Sequence, residues 1–157
     1  MVTKGVETRE RILDRAVRLA AKHGIEGLSL GMLAESLEMS KSGLFAHFGS
    51  KEDLQVAVLH AAGARFSEAV LKQAYRAPRG LPRLRAVFER WLAWGEEEGG
   101  CLFIAAASEL DDHEGRPRDT LVSLQRDLLA SLARSVRMAV EAGHLRADVD
   151  PEQLAFE

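Results

Sequence analysis

Small polar and cationic side chains gather at three prospective helix starts in the first third of the chain, a pattern suited to holding phosphate. Ser29, Ser40 and the pair Ser50-Lys51 each stand just before a run of helix-forming residues. A helix start leaves backbone N–H groups without partners and carries positive dipole character, so an anion is stabilised there. Ser40, Lys41, Ser42 and Gly43 open the second of these runs, and all four are small or cationic. A helix that begins this way can approach a charged surface closely. Its other side, Leu44, Phe45 and Phe48, would anchor it to neighbouring helices.

Other residues with chemical potential are less ordered along the chain. Cys101 is the single cysteine, so no internal disulfide can form. It stands at a helix start, where a thiolate is favoured, but a small buried apolar residue is the expected role. Glu109, Asp111, Asp112, His113 and Glu114 are metal-ligand types in a spacing that fits no site template, and a solvated loop without metal is expected. Phe66, Phe88, Trp91, Trp94 and Phe103 could line a pocket for an apolar or aromatic effector, or serve as ordinary core. The two tryptophans suit a pocket better, since each keeps an N–H that needs a partner. No nucleotide-binding glycine loop, HExxH or CxxC occurs. The chain therefore does not read as an enzyme, and it implies no cofactor.

These residues must be positioned by helices. Apolar residues at steps of three and four predict a first helix from about Thr8 to Lys22, with Thr8 as N-cap and His23-Gly24 as its stop. Ser29 caps a short second helix carrying Leu30, Leu33, Ala34 and Leu37, and Ser40 caps a third over Lys41–Phe48. Ser50-Lys51-Glu52-Asp53 has the form of a capping box opening a long fourth helix that reaches Tyr75. Ala77-Pro78-Arg79-Gly80 breaks the chain. Leu81-Pro82 then starts a helix with a wide apolar face of Leu84, Val87, Phe88, Trp91, Leu92 and Trp94. Cys101–Leu110 is apolar almost all round and is expected to be buried on most sides. After a polar loop, Arg118–Ala142 forms a long amphipathic helix, and Asp150-Pro151-Glu152-Gln153 starts another. No strand-like alternation appears. The fold class is all-α: an N-terminal three-helix helix-turn-helix domain plus a C-terminal helical ligand-binding and dimerisation domain.

Composition narrows the class further. Apolar residues make up 46% and charged residues 29% of 157, as in soluble globular proteins. No apolar run is long enough to span a membrane, and the N-terminus lacks the form of a secretory signal. Together with the lone cysteine, this predicts a cytoplasmic protein. The net charge is −3, and residues 1–55 are formally neutral, so a basic face would have to arise from spatial segregation.

Three helices in about forty residues, the last two joined tightly, are the geometry of a helix-turn-helix, whose third helix enters the DNA major groove. Thr8–Asp14, Gly27–Leu30 and Ser40–Leu54, in their order and gaps, resemble the TetR (tetracycline-repressor) family over residues 8–54. The resemblance implies a DNA-binding domain over 1–53 and a helical effector-binding and dimerisation domain over 54–157. It implies a ligand-responsive repressor acting as a homodimer on a palindromic double-stranded operator, with a small-molecule effector and no membrane partner. By position, Ser29 resembles the phosphate-touching hydroxyl at the second helix, with Leu30 beside it. Ser40 opens the third helix. Lys41, Ser42 and Gly43 match the groove-facing positions with Ala46 beside them, and His47 and Lys51 match backbone contacts. Phe45 stands where the family usually has a tyrosine hydroxyl, and Glu38 where it usually has a turn glycine. An all-helical ligand-binding or protein-interaction module with weakened or lost DNA binding is the alternative. The final helix stops after a few residues, so the C-terminus is expected to be shortened relative to a longer ancestor.

Overall fold

The computed structural model describes residues 4–97 and 100–157, and every regular element among them is helical. In order these are α1 (Lys4–His23), α2 (Leu30–Ser36), α3 (Lys41–Phe48) and α4 (Lys51–Phe66). A π-helical stretch (Ser67–Leu71) continues α4 into α5 (Lys72–Ala74). The remaining helices are α6 (Leu81–Glu97), α7 (Leu102–Glu109), α8 (Arg116–Glu141) and α9 (Pro151–Phe156). By packing, the chain divides into two compact units. The first comprises the described residues of Met1–Gly63 and Glu98–Leu121, and the second those of Ala64–Glu97 and Val122–Glu157. These units are cut elsewhere than the functional boundary expected at 53/54. The reason is tertiary: α7 lies against α1.

In the first unit, Ile12, Ala16, Val17, Leu19 and Ala20 of α1 are buried at helical spacing with Leu33, Leu44, Leu54 and Val58. Helix α1 begins four residues earlier than Thr8, at Lys4, so Thr8 is inside the helix rather than its cap. Gly24, at φ +81°, ends it in the left-handed region that favours glycine. Ser29 accepts a hydrogen bond from the Met32 N–H (3.1 Å) and Ser40 from the Gly43 N–H (3.1 Å), so both act as the caps expected. Helix α7 departs from expectation. Leu102, Ala106 and Leu110 are buried, but Ile104 is 64% exposed. Near-continuous apolarity concealed a one-sided burial.

In the second unit the helical path through Phe66, Val70 and Ala74 buries all three residues, and α6 packs on the π-helical stretch. Leu84, Val87 and Trp94 of α6 are buried, whereas Phe88 (49%) and Leu92 (71%) are exposed, so its buried face is narrower than the sequence predicts. Gly80, at φ +92°, precedes α6; a methyl there would lie 2.3 Å from His144 Nδ1, which accepts a bond from the Leu81 N–H (3.2 Å). Helix α8 buries Leu132, Ala133, Val136 and Ala139 along one stripe. Asp150 caps α9, accepting from the N–H groups of Glu152 (2.9 Å) and Gln153 (3.0 Å).

Candidate nucleic-acid interface

All ten residues expected at the interface lie in the first unit, on or beside α2, α3 and the first turn of α4. Helix α3 buries Leu44 and Phe48, while Ser40, Lys41, Ser42, Phe45 and Ala46 are exposed. The helix is therefore anchored by one side and presents the other. Gly31, half-buried in α2, brings two of these residues together. A methyl carbon on it would lie 3.4 Å from Lys41 Cε, 3.6 Å from Lys41 Nζ and 3.8 Å from Ser29 Oγ. A hydroxyl and an ammonium thus flank one glycine, a disposition that can hold a phosphate oxygen between a neutral and a charged donor. Gly31 had no sequence signal of its own; only the fold shows that Lys41 and Ser29 both lie beside it.

Within α3 the Ser40 and Ser42 hydroxyls are 3.2 Å apart and hydrogen-bonded to one another. Ser40 is thereby committed to its cap and to its neighbour. Leu30 is half-buried beside the Ser29 cap, and His47 is half-buried near the end of α3, its ring 6.3 Å from that of Phe48. Arg9 of α1 stacks its guanidinium 5.2 Å from the Phe48 ring centre. Phe45 is 56% exposed where a phenolic hydroxyl would otherwise stand. Glu38 has φ +54°, the left-handed conformation that makes glycine the lower-cost residue in this turn.

Lys51 is less free than its position implied. Its ammonium donates to the Glu26 carbonyl (2.8 Å) and lies 3.8 Å from the Glu26 carboxylate, fastening the first turn of α4 to the α1–α2 connection. Two further N–H donors of that ammonium remain for another acceptor. Buried Gln55 supports the same connection by donating to the Ile25 carbonyl (3.1 Å) and the Glu26 carboxylate (2.9 Å).

Two supports of this surface were not foreseen. Glu109, expected in a solvated loop, is half-buried at the end of α7, and its carboxylate accepts the Glu26 N–H at 2.8 Å. The lack of a side chain on Gly24 makes room for it, since a methyl there would come within 2.4 Å of the Glu109 oxygen. Arg116, the first residue of α8, donates its N–H to Glu52 (3.0 Å) and its guanidinium to Asp53 (2.7 Å). Asp53 also accepts from the Ser50 hydroxyl (2.7 Å), whose oxygen caps the Asp53 N–H (3.0 Å). The Ser50 hydroxyl and, next, the Arg116 guanidinium hold the Asp53 carboxyl below its ordinary value, and Asp53 raises Arg116 in turn. Both supports join residues more than sixty positions apart, beyond the reach of a spacing argument.

The aromatic residues proposed for an effector pocket are divided. Phe66 makes edge-on contacts with Trp91 (5.4 Å) and Trp94 (5.3 Å) in the second unit. Phe88 points outward at 49% exposure, and Phe103 belongs to the first unit. Among the described residues, no group of three or more histidine, cysteine or acidic side chains could hold a metal, and no helix is long and apolar enough to cross a membrane.

Comparison with known proteins identifies the family. The family model described as bacterial regulatory proteins, tetR family, matches residues 12–58, and the tetracyclin repressor-like C-terminal domain matches residues 80–157. The HTH-type transcriptional repressor AcnR of Corynebacterium efficiens is 40% identical over 67 residues, which cover 43% of this chain and 36% of AcnR. The chain thus spans little more than a third of the curated relative it matches. Among solved structures, AibR in complex with isovaleryl coenzyme A and operator DNA superposes with a TM-score of 0.77 at 28% identity, covering 94% of this chain and 80% of AibR. A TetR transcriptional regulator from Chloroflexus aurantiacus gives a TM-score of 0.87 at 25% identity, covering 98% and 79% of the two chains. With its N-terminal and C-terminal parts matched by models of one family, and helices in the same arrangement, the chain belongs to the TetR family of bacterial regulatory proteins.

Proposed function

We propose that this protein is a DNA-binding transcriptional repressor that responds to a small molecule and acts in the cytoplasm as a homodimer on a palindromic operator. The observation that carries this reading is the exposed start of α3 with Lys41 and Ser29 flanking Gly31. Ser29, Lys41, His47 and Lys51 would hold phosphates, while Ser42, Gly43 and Ala46 would meet the groove. With such small residues, phosphate contacts carry most of the affinity, and DNA shape contributes much of the specificity. Two copies would place their α3 helices roughly 34–36 Å apart, in successive major grooves.

AibR, solved with both a ligand and operator DNA, supports the pairing of effector and DNA control in this architecture. In this chain the effector would contact the second unit near Phe66, Trp91 and Trp94, where aromatic edges meet the end of α4. An effector changes DNA affinity only to the extent that it binds two conformations differently. The helical path from Lys51 to Ala74 is the covalent route for that difference.

Titration against duplex DNA at rising salt tests the reading. Affinity should fall linearly in log–log form, and Lys41→Ala and Lys51→Ala should each weaken binding and reduce the salt slope by about 1. Because Lys51 also fastens α4, its variant is compared at matched stability. Absence of DNA binding at low salt would overturn the proposal in favour of an all-helical interaction module, the reading that Phe45 and Glu38 support.

A further inference from the structure

An open groove of about 610 Å³ lies in the first unit, between α1 and α4, outside the residues assigned to the effector. On α4, Asp53, Val56, Ala57, His60 and Ala61 recur at steps of three and four, so they form one stripe. Leu13 of α1 faces the groove from the other side. Leu13, Val56, Ala57 and Ala61 are each half-buried rather than buried, so apolar surface remains open along the floor. Alanines at 57 and 61 leave a trough where larger side chains would close it.

The rim carries two arginines. Arg9 and Arg116, with the imidazoles of His47 and His60, surround the groove, and Asp53 is the one carboxylate among its lining residues. Asp53 is already paired with Arg116 at 2.7 Å. Arg9 makes a face contact with Phe48, and no described carboxylate lies within ion-pair distance of it. The stacked guanidinium is held in place with its N–H donors unspent. A volume in the range of small-molecule sites, an apolar floor and one uncompensated positive charge define a ligand class. We propose that this groove binds a small amphipathic anion, a carboxylate on an apolar body, with the carboxylate on Arg9 and the body along Val56, Ala57 and Ala61.

The test uses the full chain and decanoate kept as monomers, followed by calorimetry and by methyl NMR. Saturable one-to-one binding is expected, with shifts at the methyls of Leu13, Val56, Ala57 and Ala61. Arg9→Gln should weaken decanoate by about tenfold or more, the loss expected for a charge-assisted hydrogen bond. Ala57→Trp should abolish binding by filling the trough, and decanol should bind the native protein about tenfold more weakly than decanoate. Both variants lie at partly exposed positions, and their melting curves report whether the fold is kept. If Arg9→Gln unfolds, Arg9→Met replaces it, and if Ala57→Trp unfolds, Ala61→Phe does. Shifts confined to methyls of the second unit such as Val70 and Val87, equal binding of decanol, or decanoate affinity unchanged in the folded variants would overturn the proposal. The result is independent of DNA binding, so failure here leaves the repressor reading standing.

Discussion

At residue scale, Glu38 is the plainest departure from what the backbone favours. Its φ of +54° costs a side chain on the order of 1–2 kcal/mol relative to glycine, partly offset by the greater freedom glycine gains on unfolding. Glu38→Gly should therefore raise stability by about 1 kcal/mol in urea denaturation. A loss of stability would show that the glutamate is held by something other than this strain. Asp53 makes a second prediction. Its carboxyl lies below the ordinary value of 3.8 because Ser50 and Arg116 bond its charged form. A lowered folded value means that the contribution is present above 3.8 and is lost as pH falls through the folded value. Arg116→Ala should move the Asp53 carboxyl midpoint upward by NMR. Its destabilisation should be measurable at neutral pH and close in acid; a midpoint that does not move would remove the pair from the account.

At the scale of elements, α7 matters through its last residue. The Glu109 carboxylate accepts the Glu26 N–H across 83 positions, and Gly24 leaves the space it occupies. Gly24→Ala would strain φ +81° and displace that carboxylate. The cost should be about 2–4 kcal/mol, combining the left-handed penalty with the loss of a hydrogen bond to a charged group. Glu109→Ala should lose about 1.5–3 kcal/mol alone, and the double variant less than the sum, because both remove one contact. Strict additivity in a double-mutant cycle would separate the two residues. Helix α4 shows the converse limit of periodicity. The spacing of Leu54, Val58, Ala62, Phe66 and Val70 was enough to expect a long helix, yet it did not disclose the π-helical turn at Ser67–Leu71. One additional residue within a turn alters the hydrogen-bond partner while leaving an i, i+4 apolar step intact.

For the whole molecule, the packing units imply that residues 1–63 are not a self-sufficient domain. The first unit also includes Glu98–Leu121, with α7 against α1 and with Arg116 and Glu109 fastened to the α1–α4 region. A fragment ending at Gly63 would lose the burial of Leu102 and Leu110, each worth about 1.5–3 kcal/mol, as well as both polar supports. Chains of that size are already marginal. The fragment should therefore be largely unfolded by circular dichroism at 25 °C, or melt far below the full chain. A cooperative transition matching that of the full chain would mean that residues 1–63 do not need the later segment of the first unit for their stability.

What the sequence determined by itself was local. Ser29, Ser40, Asp150 and the glycine after His23 set helix limits through bonds spanning two to four residues, and those limits can be read from composition and order. Helical class, the order of the helices and the anchoring of α3 by Leu44 and Phe48 followed from the same short-range physics, whereas Phe45, expected on that anchoring side, is exposed. Tertiary structure decided everything that joins distant positions: Lys41 beside Gly31 and Ser29, Lys51 on the Glu26 carbonyl, Glu109 in the space at Gly24, and Arg116 on Asp53. It also decided which half of an apolar helix is covered, leaving Ile104, Phe88 and Leu92 outside. The physical reason is that capping and periodicity depend on neighbours a turn away. Burial and charge pairing depend instead on which surfaces meet, and periodicity in one helix does not specify its neighbour.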